Sequence, residues 1–243
     1  MNTNNWMRKW WWKVLAIMLM LFTIVIGMMA TVPALPILHE TIRNLYYHVP
    51  MWFGMTLMLL FGMIFSIKFL RNSRMEDDII AASFTKVGLL FGCCGITTGM
   101  IWAQSTWGVF WNNDPKENAA AVGLLLYFAY FVLRNSMDDM DKRARVSAVA
   151  NIIFYFTFIP IIFIVPRLTD SLHPGNGGNP GFNAYDLDSN MRMVFYPAVI
   201  GWTLFGTWIT TVISRTEIVN RELHFSMNNI SMNNSSKQLD SKF

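Results

Sequence analysis

The sequence predicts an all-α integral membrane protein, a bundle of six transmembrane helices with both termini cytoplasmic. Three observations carry this. Six apolar runs are each close to the length that crosses a bilayer. Charged residues make up only 14% of the 243, against roughly 25% in soluble domains. And lysine and arginine concentrate in alternate connections along the chain.

The runs cover residues 14–32, 51–70, 87–104, 118–133, 147–165 and 194–214. At 1.5 Å per residue each approaches the roughly 30 Å of hydrocarbon. The first follows Arg8, Lys9 and Lys13 and precedes Ala30-Thr31-Val32-Pro33-Ala34. That arrangement resembles a secretory leader, but the run exceeds a leader's apolar region of about 7–15 residues. It is therefore expected to remain as a helix. The fourth, with Ala119, Ala120, Ala121 and Gly123, is expected to pack most closely against its neighbours.

Orientation follows from the basic residues. Arg8, Lys9 and Lys13 precede the first run; Lys68, Arg71, Arg74 and Lys86 lie between the second and third. Arg134, Lys142, Arg143 and Arg145 lie between the fourth and fifth, and Arg215, Arg221, Lys237 and Lys242 follow the sixth. The alternate side holds only Arg43, Lys116, Arg167 and Arg192. This bias explains the net charge of +4 without a nucleic-acid partner, and it leaves lipid as the surrounding medium. Residues 1–215 form one membrane domain, and the polar stretch 216–243 is expected to be a disordered cytoplasmic tail.

Three connections face outward. Residues 33–50 contain His39 and His48, residues 105–117 read STWGVFWNNDPKE, and residues 166–192 contain His173. In the second, Trp107, Phe110 and Trp111 would share one face if the segment were helical. Such a face is either an ordinary interfacial aromatic belt or a flat platform for a planar ligand. Asp114, Pro115 and Glu117 have the spacing of a capping box with proline at the first helical position. That gives both acids a structural reading.

Cys93 and Cys94 are adjacent and read as small residues within a helix; no C-x-x-C-H pattern for covalent haem attachment is present. His48 and His173 each lie at a membrane edge, where a lone histidine is ordinarily a hydrogen-bonding anchor. Two on one side can instead supply both axial ligands of a haem iron. Arg43, Lys116, Arg167 and Arg192 are then all candidates for the propionates.

Trp107-Gly108-x-x-Trp111-x-x-Asp114-Pro115-Lys116-Glu117 resembles the WWD motif of the haem-handling proteins of cytochrome c maturation. His48-Val49-Pro50 and Leu172-His173-Pro174-Gly175 resemble that group's flanking histidine sites. Size and layout resemble the CcmC type more than the larger CcsA and CcmF types. Two departures stand out: Asn113 occupies a position that often holds another tryptophan, and Asp-Pro-Lys-Glu is closer to the CcsA version.

The resemblance implies that His48 and His173 ligate a non-covalent haem b. It implies that Trp107, Gly108, Trp111 and Asp114 cradle it for an extracytoplasmic haem chaperone, with ABC transporter subunits and other cytochrome c maturation membrane proteins as partners. The expected role is haem transport and cytochrome complex assembly at the bacterial cytoplasmic membrane, with periplasmic functional loops. This is delivery and not catalysis; the alternative is a CcsA-like subunit of a haem–apocytochrome c lyase. The absence of any histidine from the six runs argues against a b-type electron-transfer subunit, and the scarcity of polar residues within them argues against a permease.

Overall fold

The computed structural model describes residues 5–35, 37–173 and 187–240, and among these every regular element is helical. Pro174, Gly175 and Lys242, which figure in the sequence reading, lie outside the described residues. The six helices are α1 (Trp11–Met29), α2 (Leu45–Asn72), α3 (Met75–Trp107), α4 (Pro115–Asn135), α5 (Met140–Phe163) and α6 (Ser189–Asp240). All six have the length and apolar composition of membrane spans. The protein is a multi-pass membrane protein.

α2, α3, α4 and α6 extend past their apolar runs at both ends, whereas α1 and α5 stop short of the ends of theirs, at Met29 and Phe163. Three starts have clear local causes. Asp114 caps α4 in a complete capping box with Glu117, and Pro115 sits in the first turn. Asp139 caps α5 by accepting from the Lys142 N–H. Glu76, Asp77 and Asp78 fill the first turn of α3, where negative charge meets the positive end of the helix.

α2 is the hub: it packs against α3, α5 and α6, while α1 lies against α6 and α4 against α5. α3, and not α4, is the most enclosed helix. Small residues do decide the packing, but on α3. A Cβ on Gly88 would stand 2.8 Å from Leu59 Cδ2, and one on Gly95 would stand 2.9 Å from Trp52 Cε2. Only glycine lets α2 lie this close.

At the end of the bundle where α2 finishes and α3 begins, buried charges are paired. Arg134 of α4 grips Asp78 of α3 through two bonds of 2.8 and 2.7 Å, and Lys68 of α2 meets Asp77 at 2.9 Å. Deeper in, Asn151 of α5 donates to Ser66 and Thr85 at 3.0 and 3.1 Å. A buried amide of this kind is what the apolar reading of the runs overlooked.

α6 runs on to Asp240, through the polar stretch that follows the sixth apolar run. No glycine or proline follows Gly206, and Glu217 stands four residues before Arg221, a spacing that supports a helix. Nothing local stops α6 once it has begun.

Candidate functional site

At the opposite end of the bundle lies a cavity of about 430 Å³, within the range of small-molecule and cofactor sites. α2 contributes His48, Trp52 and Phe53 to its wall, and α3 contributes Ile96, Gly99, Met100 and Trp102. The first turn of α4 adds Lys116 and Glu117. The far wall holds Ile162, Phe163 and Arg167, and the loop beyond supplies His173. The interior is apolar and aromatic, with its charges in the segments outside the helical interiors.

His48 is part of α2 and not of a loop before it. The apolar run begins only at Met51, and a proline at position 50 disfavours helical backbone in the residue before it. Yet Tyr46 is fully buried and Leu45 nearly so, packed with Phe195 and Met191 of α6. That burial outweighs the one backbone bond that Pro50 cannot make. The argument against a helix-borne histidine ligand therefore falls. The His48 ring has Nδ1 3.1 Å from the Thr98 hydroxyl and stands edge-on to Trp52 and Trp102.

The tryptophan segment is not one helical face. α3 ends at Trp107, because Gly108 takes the left-handed conformation (φ +80°) and the Gly108 N–H closes onto Gln104. Glycine is the usual residue for such a stop. The chain then turns back through Asn113, also left-handed at φ +57°, into the Asp114 cap. Trp111 enters the cavity wall, whereas Trp107 lies against His173 with ring centres 5.3 Å apart. A Cβ on Gly108 would meet nothing within 4 Å, so the residue's part is the turn.

Asp114 joins two loops. Its buried carboxylate accepts from the Lys116 N–H, from the Ser171 hydroxyl at 3.0 and 2.9 Å, and from the Leu172 N–H at 2.7 Å. The next residue is His173, whose Nδ1 stands 2.9 Å from the same carboxylate. This is a close electrostatic contact and not an aligned hydrogen bond. Burial alone would raise the Asp114 carboxyl, but the N–H groups of Lys116 and Leu172 and the nearby imidazole hold it below the usual carboxylate range. Burial lowers the His173 imidazole, and Asp114 only partly offsets this, so the ring is neutral near pH 7 with a lone pair to offer.

Of the four basic candidates, Lys116 and Arg167 reach the cavity wall. Arg43 is engaged elsewhere: it pairs with Glu40 at 2.7 Å and donates to the Gly27 and Ala30 carbonyls at the end of α1. Arg192 and His39 do not line the cavity. Sequence reasoning missed Thr98, Gly99, Trp52 and Trp102. Only Trp52 left a trace, standing one helical turn after His48.

Fold and site together define a six-helix membrane protein with a histidine- and tryptophan-walled chamber at one end of the bundle. The sequence matches the CcmC family, described as Heme exporter protein C, over residues 1–229, and the chain belongs to that family. It is 24% identical over 185 residues to Heme exporter protein C of Bradyrhizobium diazoefficiens, covering 75% of this chain and 69% of that protein. To the Paracoccus denitrificans Heme exporter protein C it is 23% identical over 185 residues, covering 75% and 76%. A shorter match, 35% identical over 88 residues, is to Cytochrome c biogenesis protein CcsA of Synechococcus sp. CC9311, covering 36% of this chain and 28% of that protein.

Proposed function

We propose that the chain binds haem b as non-covalent cargo, with His48 and His173 as axial ligands, and presents it to an extracytoplasmic haem chaperone for cytochrome c maturation. One observation carries the reading. Two imidazoles from distant parts of the chain open onto the same aromatic cavity. Neutral imidazole pairs are established haem-iron donors, and the apolar wall suits the faces of a porphyrin. Lys116 and Arg167 are placed to meet the propionates, helped by the positive N-terminal end of α4. Trp107 and Asp114 hold His173 in place, Trp111 supplies wall, and Gly108 sets the turn between them.

The alternation of basic residues supports a cavity facing away from the cytoplasm, in the bacterial cytoplasmic membrane. ABC transporter subunits and other maturation proteins are the partners that accord with the family. Holding and release suffice for this role, without catalysis. A second reading, a CcsA-like subunit of a haem–apocytochrome c lyase, is favoured by the Asp-Pro-Lys-Glu sequence and by the stretch similar to CcsA.

Purified His48→Ala and His173→Ala variants are expected to carry markedly less haem than the parent protein. Full haem content with an unchanged Soret band in both would refute the ligand assignment.

A further inference from the structure

Which nitrogen of His48 faces the cavity is decided by α3. Nδ1 lies 3.1 Å from Oγ1 of Thr98. A hydroxyl has one proton to donate, and that of Thr98 is directed at its own helix, toward the Cys94 carbonyl at 2.8 Å and the Gly95 carbonyl at 3.0 Å. With that proton on its own helix the oxygen faces His48 as an acceptor, an arrangement that requires the ring proton on Nδ1. In a neutral imidazole the lone pair then belongs to Nε2.

The ring's position is fixed as firmly as its tautomer. A Cβ on Gly99 would stand 2.7 Å from Cε1, so the ring edge rests directly on the α3 backbone. Trp52 and Trp102 flank it, with ring centres 6.4 and 5.8 Å away, both at 76° to its plane.

We infer that Thr98 is a positioning residue: it holds His48 as the Nδ1–H tautomer, so that Nε2 presents its lone pair to an iron in the cavity. This rests on the reading of His48 as an axial ligand. An acceptor behind a ligating imidazole increases its electron donation, which favours ferric over ferrous iron. Thr98 therefore tunes as well as aims the ligand.

The test uses the full chain purified with haem, as Thr98→Val, Thr98→Ser and His48→Ala. Thr98→Val keeps the shape and removes the acceptor. It is expected to bind ferric haem about threefold to tenfold more weakly, with a smaller loss for ferrous haem and a higher midpoint potential. A tenfold loss confined to the ferric state corresponds to about 59 mV for one electron. Thr98→Ser is expected to match the parent protein.

Parent-like affinity and potential in Thr98→Val would overturn the inference. So would a loss in a folded Thr98→Ser equal to that in Thr98→Val, because bulk and not the hydroxyl would then matter. Nitrogen-15 NMR of histidine in the haem-free parent reads the tautomer without any substitution, and an Nε2–H signature for His48 would also overturn it. Unchanged haem in His48→Ala, with the Nδ1–H tautomer still present, would instead remove the ligand reading beneath it.

Discussion

Nδ1 of His173 stands 2.9 Å from Oδ1 of Asp114, and that carboxylate is at once the N-cap of α4 and the acceptor for the Leu172 N–H. One side chain thus ends a loop, starts a helix and backs a histidine. Asp114→Ala removes the cap and strands a backbone donor, at a cost of about 2–4 kcal/mol in local stability. The expected outcome is faster proteolysis within residues 168–173 together with a lower haem content. Parent-like cleavage and haem content would show that the junction does not hold His173.

Gly99→Ala separates binding from folding. Alanine is a better helix former than glycine by about 0.5–1 kcal/mol, but its Cβ meets His48 Cε1. Because the ring must move, haem affinity is expected to fall on the order of tenfold or more, with little change in melting temperature. Equal losses in both would mean that the whole α2–α3 contact had failed.

Lys116→Gln and Arg167→Gln test the propionate assignment. Each is expected to weaken haem binding by roughly tenfold, the scale of one hydrogen bond to a charged group. Haem dimethyl ester, which lacks the carboxylates, is expected to bind the variants and the parent protein alike. If the ester loses affinity in parallel with haem, the two cations act on cavity shape instead.

Asp78→Asn tests the opposite end of the bundle. It leaves the largely buried Arg134 guanidinium without its counter-charge, which costs about 3 kcal/mol. Thermal unfolding in detergent should show the loss. The double variant Asp78→Leu, Arg134→Met should recover much of it, since replacing both members with apolar groups removes the orphaned charge.

The membrane architecture was legible because an apolar run of spanning length has few other uses, and the Asp114 capping box because its spacing is local. His48 was placed ahead of the second helix because the apolar run begins only at Met51. Pro50 signals a break, and only the burial of Tyr46 and Leu45 against α6 overrides it. The Trp107–Trp111 spacing fits a helix, and nothing short of the backbone at Gly108 shows that the helix has ended. Thr98 and Gly99 were invisible, because their role depends on the register between α2 and α3. No pattern within either helix encodes that register.

Gly108 ends α3 between the motif's two tryptophans, and this separates the fates of the two indoles. Removing Trp107 strips a neighbour from one histidine, while removing Trp111 opens the chamber itself. Adjacent letters of a signature can therefore fail in different ways, and a block substitution across the segment would blur two distinct defects into one.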